Sequence, residues 1–161
     1  GVVGGKLYYP TNTIQPAGVV IGISSAAGHI FRNMNKDKDS YMHKADTIQN
    51  VSAVTGACLM VKKTLYEKVR GLDQENLPVA FNDIDFCMRI QKIGYRNIFT
   101  PYCEAYHHEC ISRGSDRELK NIERFKKEIQ YFKNKHKNEI ENGDQHYNKN
   151  LSLDCENVYK D

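Results

Sequence analysis

The fold of this chain is decided by the stretch FNDIDFCMR at residues 81–89. Its apolar side chains recur at helical spacing and predict a helix over residues 83–93, which Gly94 ends. Two apolar rows run along that helix, so we expect it to lie against a sheet and to be covered on two sides. Asp83 and Asp85 both fall in its first turn, and they are the first candidate site residues.

The composition predicts a single soluble domain. The 161 residues can bury one moderate core, and 40% hydrophobic with 27% charged residues is typical of a globular protein. Apolar runs such as residues 19–23 are too short to span a bilayer. A formal net charge of +3 argues against a general affinity for nucleic acid. Five cysteines scattered through apolar segments favour free thiols in a reducing compartment, so we expect a cytoplasmic protein, in solution or at the cytosolic face of a membrane.

Strands and helices are mixed along the chain, which indicates the α/β fold class. Thr64 is expected to cap a short helix that Gly71 ends, and Pro101 separates two short strands. The predicted strands cover residues 2–9, 51–61, 95–100 and 105–107, and the predicted helices cover 65–69, 83–93 and 117–137. Residues 14–23 are β-rich but broken by Pro16, Gly18 and Gly22.

Two stretches lack a hydrophobic period. Residues 24–46 form a long polar excursion, and long loops in compact domains are usually functional or disordered. Residues 138–161 are polar, and we expect them to wrap loosely or to pack on a partner. The chain therefore divides into a domain over residues 1–137 and a C-terminal tail over residues 138–161.

The carboxylate pair on the central helix has two possible roles. A carboxylate in a first helical turn can simply complement the helix dipole and the free N–H groups. That role suits Asp83 alone, but Asp85 faces elsewhere, so one capping role does not explain both. A base that deprotonates a hydroxyl has to be a fixed, partly desolvated carboxylate, and a helix N-terminus supplies the fixity.

A histidine pair follows the last predicted strand. Adjacent strand residues point to opposite faces, so at most one of His107 and His108 faces a given site. A lone strand histidine is more often structural than a metal ligand. A zinc site built from this pair with Cys103 and Cys110 is an alternative, although adjacent ligands and the lack of a C-x-x-C knuckle disfavour it.

Three further features of the sequence are weaker indications of a functional site. The Asp-x-Asp pattern at residues 37–39 lies in a polar loop with no apolar strand before it, so we reject it as a metal site. Gly56 lies inside a predicted strand, where glycine often marks the close approach of a ligand or of backbone. Arg113 lies either in a plain turn or in a mobile loop that offers its guanidinium to phosphate.

Seven stretches of the chain stand in an order that resembles one family. They are VGGKLYYP at 3–10, TIQPAG at 13–18, VTGACLMV at 54–61, RGLD at 70–73, FNDIDF at 81–86, GY at 94–95 and YHHE at 106–109. In order and spacing, over roughly residues 2–114, they resemble the family 2 glycosyltransferases of the GT-A fold, particularly the rhamnosyltransferase-like group.

The resemblance implies an inverting transfer, in polysaccharide biosynthesis, of a sugar from a nucleotide-sugar donor to a hydroxyl of a saccharide or glycan acceptor. Asp83 matches the general base. His107, with His108 as the fallback, matches a histidine that completes the coordination of Mg²⁺ or Mn²⁺. The interpretation requires residue 83 and one imidazole of this pair to share a solvent-filled pocket.

The same resemblance implies substrate contacts from Asn82, Asp85, Gly56 and Arg113. Asn82 stands where many relatives carry Glu, and Asp85 would support either the helix or the acceptor site. The family's N-terminal half, with its nucleotide-binding strands, is absent. We therefore expect the C-terminal, acceptor-side half of a GT-A (nucleotide-diphospho-sugar transferase-like) fold, a mixed sheet flanked by helices.

Such a half domain is expected to bind donor and metal weakly and to turn over little alone. It is also expected to expose apolar surface, which favours a homo-oligomer. Two hypotheses of other classes stay open at this point: a non-catalytic module that binds a carbohydrate or a partner, and a small zinc-binding domain.

Overall fold

A mixed sheet forms the centre of the fold in the computed structural model, which describes residues 1–108 and 119–154, without the side chains of residues 119 and 120. The strands are β1 (Val2–Tyr8), β2 (Val19–Ile21), β3 (Ala27–His29), β4 (Gln49–Val51), β5 (Leu59–Val61) and β6 (Asn97–Tyr106). The sheet has the order β4-β6-β1-β5. β1 and β6 are parallel, the two outer strands run antiparallel to their neighbours, and β2 and β3 form a separate antiparallel pair.

Helices pack on this sheet and close the core. They are α1 (Lys63–Lys68), α2 (Asn82–Lys92), α3 (Leu119–Lys135) and α4 (Lys137–Asn142). Phe86 of α2, Phe99 of β6 and Phe132 of α3 are fully buried and belong to one apolar core. The expected α/β class, a mixed sheet flanked by helices, is confirmed.

The two short strands expected around Pro101 form one bulged strand, β6. Gly4 of β1 pairs with Phe99, but Lys6 pairs with Glu104, so four residues of β6 lie opposite one residue of β1. Proline has no N–H to donate to the ladder, and a bulge is where a strand tolerates it. The bulge carries the chain onward, so that the end of β6 lies beside the end of β1.

The single strand expected over residues 51–61 is wrong. The chain leaves β4 at Val51, makes a 3₁₀ turn at Gly56–Cys58 and enters β5 only at Leu59. The Thr55 side chain accepts a hydrogen bond from the Ala57 N–H at 3.4 Å, which caps that turn. The apolar pattern marked burial correctly, but burial alone does not separate a strand from a capped turn.

The ends of the short helix α1 differ in how well they were predicted. Its N-cap is Lys62 rather than Thr64, and no side chain caps it. Its C-terminal end was predicted correctly, because Arg70 and Gly71 both take the left-handed conformation, with φ of 62° and 63°.

Residues 14–46 and the tail hold more structure than the polar pattern predicts. Only residues 19–21 of the β-rich stretch are strand, and the expected loop contributes β3 and a 3₁₀ turn at Tyr41–Asp46. In the tail, α4 continues after α3, and the Ile21 N–H donates to Asp144 Oδ2 at 2.8 Å. Residues 138–154 therefore pack on the domain, while the division of the chain at residue 137 stays a prediction.

The outer face of the sheet is partly apolar. Val3 pairs with Met60 on one side and with Ile98 on the other, and the Met60 side chain is 75% exposed. Self-association through this face stays a prediction. Among the residues that the structure describes, no helix is long and apolar enough to cross a membrane.

Candidate functional site

A cavity of about 300 Å³ opens beside the N-terminal end of α2. Asp83 from that helix and His107, which directly follows β6, both line it, as the sequence interpretation requires. Its polar lining consists of Tyr9, Gln15, His29, Arg32, Thr55, Asp83 and His107, and its aromatic lining adds Phe81 and Phe125. The cavity therefore brings the Asp83 carboxylate and the His107 imidazole together from positions 24 residues apart in the chain.

Asp83 is held by backbone N–H groups. Its Oδ2 accepts from the Gly56 N–H at 2.6 Å, and its Oδ1 accepts from the Ile84 N–H at 2.8 Å. The side chain is half-buried, so it is oriented and partly desolvated while it still faces the cavity. Each carboxylate oxygen keeps a further lone pair, so the group can accept a proton from a hydroxyl placed beside it.

Phe81 sets the direction in which α2 enters the site. It precedes the helix in the left-handed conformation, with φ of 63°, which is unfavourable for a residue that carries Cβ. Its ring stacks on Phe132 with 4.8 Å between centroids and also contacts Phe125 at 5.9 Å. These ring contacts from α3 offset the backbone strain and fix the start of α2.

Glu128 of α3 fixes the two residues before Phe81. This buried carboxylate accepts from the Val79 N–H at 3.2 Å and from the Ala80 N–H at 3.0 Å. The Arg124 guanidinium donates to it at 2.8 Å and balances its charge. Because Val79 and Ala80 line the cavity, α3 shapes the wall next to Asp83.

His107 is the histidine of the pair that lies on the cavity. Its backbone N–H donates to the Tyr8 carbonyl at 3.0 Å, which continues the pairing of β1 with β6. Its ring Nδ1 lies 2.7 Å from Gln15 Oε1. His108 is exposed and does not line the cavity, as the alternation of strand side chains predicts for one member of the pair.

Gln15 and Arg32 are cavity residues to which the sequence interpretation assigned no role. The Arg32 side chain donates to the Tyr9 hydroxyl at 2.8 Å and lies over that ring. Arg32 belongs to the stretch expected to be a loop, so no local sequence pattern predicted that it lines the cavity. Gln15 was detectable as a polar residue within the apolar run of residues 14–23.

The other expected substrate contacts lie off the cavity. Gly56 does not line it but donates to Asp83, and a Cβ at Gly56 would lie 3.3 Å from Asp83 Cβ. The close approach expected at this glycine is therefore that of a side chain. Asn82 is half-buried at the helix start and does not line the cavity, and Arg113 lies outside the described residues. Their substrate roles stay predictions.

Asp85 is instead buried among basic side chains. It is 0% exposed and accepts from Arg89, Lys135 and His136, each at 2.8 Å. Burial alone would raise the pKa of this carboxyl, but the hydrogen bonds from His136, Lys135 and Arg89 outweigh it and hold the pKa well below its usual range. Of the two roles expected for Asp85, this geometry matches support of the helix.

The Asp85 cluster also holds the loop after α1. Arg89 donates to the carbonyl of Val69 and, at 2.6 Å, to that of Gly71. The Asp85–Arg89 pair therefore joins α2 to the end of α1.

The described residues do not form a metal centre of their own. Within residues 1–108 and 119–154, no group of three or more His, Cys, Asp or Glu side chains could hold a metal ion. Asp83 and His107 could each supply a ligand at the cavity, but the described residues do not bring three such groups together, so they do not fit a complete Mg²⁺ or Mn²⁺ site. Cys110, part of the alternative zinc site, lies outside the described residues, and the rejected Asp-x-Asp at 37–39 is exposed.

The cysteines that the structure describes are free thiols, as expected: Cys58, Cys87 and Cys103. Cys58 and Cys103 lie with their sulfurs 3.9 Å apart, and the contact with Cys58 raises the pKa of the exposed Cys103 thiol. Burial raises the pKa of Cys87 to about 12, so this thiol is protonated and belongs to the core.

Comparison with known proteins finds two informative relatives. No family model matches the chain. The uncharacterized protein y4gI of Sinorhizobium fredii is 43% identical over 154 residues, which cover 96% of this chain and 17% of that protein. The O-antigen biosynthesis protein RfbC of Myxococcus xanthus is 35% identical over 118 residues, which cover 72% of this chain and 9% of that protein. The chain therefore spans less than a fifth of the length of either relative.

Proposed function

We propose that this chain takes part in polysaccharide biosynthesis and carries the acceptor side of an inverting, family 2-like glycosyltransferase site of the GT-A type. The observation that carries the proposal is the shared cavity of Asp83 and His107. Similarity to a protein named for O-antigen biosynthesis supports sugar chemistry for this region.

In the proposed reaction, an acceptor hydroxyl lies in the cavity within hydrogen-bond reach of Asp83. Its oxygen forms a bond to the anomeric carbon of the donor sugar on the face opposite the leaving group. The bond from that carbon to the diphosphate oxygen breaks, and its electron pair leaves with the nucleoside diphosphate. The hydroxyl proton passes to the Asp83 carboxylate, which the Gly56 and Ile84 N–H groups hold in position.

The proposed partners are a nucleotide-sugar donor and a saccharide or glycan acceptor. Mg²⁺ or Mn²⁺ on the donor diphosphate remains part of the proposal, and His107 is the residue proposed to bind it at the cavity. None of the bond changes in the proposed reaction depends on that ion. We assign Gly56 and Asp85 to support of the site, since one holds the base and the other anchors its helix.

The variant Asp83→Asn tests the proposal. We expect it to reduce the release of nucleoside diphosphate from nucleotide-sugars by about 10²–10⁴-fold, the usual contribution of a positioned general base. The assay uses this chain and any longer protein that contains it, with a panel of nucleotide-sugars and saccharide acceptors.

The matched control is Asp39→Asn, which removes a carboxylate that is 90% exposed and lies off the cavity. Circular dichroism and thermal unfolding confirm that both variants are folded. Turnover that is undiminished in Asp83→Asn would remove Asp83 from the mechanism.

A second candidate function is a saccharide-binding module without catalysis. The rings of Tyr9, Phe81 and Phe125 line the same cavity and offer the flat apolar surface on which a sugar ring can pack. In that case a glycan would bind equally well to Asp83→Asn and to the parent chain, and no nucleotide-sugar would be turned over by either.

A further inference from the structure

Gln15 lines the cavity and carries a buried polar atom that has no hydrogen-bond partner among the described residues. Its side chain is 6% exposed, and it lines the cavity beside His107. Oε1 faces His107 Nδ1 at 2.7 Å, but Nε2 is buried and has no hydrogen-bond partner among the residues that the structure describes. Because Gln15 lines the cavity, an acceptor atom of a molecule bound there could satisfy this buried donor once the side chain turns toward it.

The contact between Gln15 and His107 determines where the imidazole carries its proton. With the carboxamide oxygen placed beside Nδ1, a hydrogen bond between the two requires Nδ1 to donate, because that oxygen can only accept. In the neutral ring, Nε2 then keeps its lone pair and is free to accept a proton or to bind a cation. The pair therefore offers two unlike groups at the cavity: an acceptor nitrogen on His107 and a donor nitrogen on Gln15.

We propose that Gln15 is a positioning residue that fixes the Nδ1–H form of His107, and that its own amide N–H donates to an oxygen atom of the ligand that fills the cavity. The nature of that ligand rests on the proposed function, under which the oxygen belongs to a saccharide hydroxyl or to a diphosphate. Both groups accept from an amide, while only the hydroxyl can also donate to the His107 lone pair.

Two variants separate the two parts of the proposal. Gln15→Glu keeps an oxygen that accepts from His107 Nδ1 but removes the amide donor. Gln15→Leu removes both groups. The matched control is Gln130→Leu on the exposed face of α3, where the Gln130 amide contacts only Asn134, at 2.9 Å, among the described residues.

The first readout is the proton position on His107, measured by ¹⁵N NMR of the metal-free chain. We expect the proton on Nδ1 in the parent chain, in Gln15→Glu and in the control, and a shift of the population toward Nε2 in Gln15→Leu. A parent chain with its proton on Nε2 would overturn the proposal even if Gln15→Leu failed to fold.

The second readout is the Gln15 side-chain amide signal during two separate titrations, one with methyl glycosides and one with pyrophosphate plus Mg²⁺. We expect one probe to shift this signal and to bind Gln15→Glu about 3- to 10-fold more weakly, as for the loss of one hydrogen bond. The probe that shifts the signal identifies whether the oxygen comes from a saccharide hydroxyl or from a diphosphate. If the amide signal responds to neither probe, its role as a ligand donor is refuted.

These measurements do not depend on turnover. If Asp83→Asn retains full activity while the proton of His107 lies on Nδ1, the proposed mechanism fails and the role of Gln15 stands. If turnover depends on Asp83 but the His107 proton lies on Nε2, only the role of Gln15 fails.

Discussion

Asp83 and Asp85 stand two residues apart in the first turn of α2, yet they lie in opposite surroundings. Asp83 is half-buried on the cavity, where the Gly56 and Ile84 N–H groups hold it. Asp85 is fully buried among Arg89, Lys135 and His136. One helical turn therefore presents one carboxylate to the cavity and commits the other to the fold.

The difference lies in the neighbours of each carboxylate. Three cationic or donor side chains stabilise Asp85 in its charged form, so it has little tendency to take a proton. Backbone N–H groups orient Asp83, which has no ion pair within residues 1–108 and 119–154, and they leave lone pairs available toward the cavity. The residue type is the same, so the function follows from what each side chain contacts.

The largest stability effect is expected for Asp85→Asn. This change leaves Arg89, Lys135 and His136 without their shared anion, and breaking a buried ion pair typically costs about 3–5 kcal/mol. Urea unfolding followed by circular dichroism measures the loss. Asp83→Asn serves as the comparison and should change the free energy of unfolding by about 1 kcal/mol, as for one hydrogen bond. Equal losses in the two variants would contradict the contrast between the sites.

A smaller loss is expected for Glu128→Ala. The Val79 and Ala80 N–H groups would lose their acceptor, and burying an unsatisfied polar group costs about 1–3 kcal/mol. The wall beside Asp83 would loosen, so nucleotide-sugar turnover should fall as well. Glu123→Ala, an exposed position on the same helix, is the control for both assays. Turnover that is unaffected by Glu128→Ala would mean that α3 does not shape the site.

Acid should destabilise the Asp85 cluster selectively. The pKa of Asp85 is lower in the folded chain than the value of about 3.9 expected for unfolded chains, so its contribution is complete above roughly pH 4 and is lost as the pH falls toward the folded pKa. The pKa of Asp73 is also lowered despite its burial, through hydrogen bonds from Asn76 and Lys135. Asp85→Asn should therefore flatten the acid limb of the unfolding free energy without abolishing it. An unchanged acid limb would show that the cluster does not act in this way.

Local patterns predicted α2 well, because the apolar spacing that indicates the helix and the Gly94 that ends it both lie within or next to the helix itself. They failed over residues 51–61, where Thr55 and Gly56 make a turn that donates to a carboxylate 27 residues away. Alternation along a strand limited the choice to one of His107 and His108, but only the register of β6 against β1 places His107 on the cavity.

The remaining cavity residues depend on contacts that no local pattern encodes. Arg32 reaches the cavity because residues 24–46 fold back over the sheet with β3 among them. Gln15 carried a signal, as a polar residue in an apolar run, but its meaning depends on His107, which lies 92 residues away. Sequence periodicity determines which residues are buried, whereas the site is defined by which buried segments meet.

The smallest effect is expected for Gly56→Ala, and it tests the Asp83 side of the comparison directly. The new Cβ would lie 3.3 Å from Asp83 Cβ and 3.5 Å from its Oδ2, so one of the two groups has to shift by a few tenths of an ångström. Replacing glycine by alanine also restricts the unfolded chain, which offsets part of the strain, so the free energy of unfolding should change by less than about 1 kcal/mol. Turnover should nevertheless fall by about 3- to 10-fold, since displacing the Asp83 carboxylate increases its distance from the acceptor hydroxyl.

The control is Ala57→Ser, an exposed change at the next residue of the same turn. Nucleotide-sugar turnover and urea unfolding are measured on both variants. If Gly56→Ala lowers stability as much as Asp85→Asn does and leaves turnover unchanged, the turn at Gly56–Cys58 serves the fold rather than the base. The two carboxylates would then not differ in kind, because the N–H group that orients Asp83 would be as structural as the cations around Asp85.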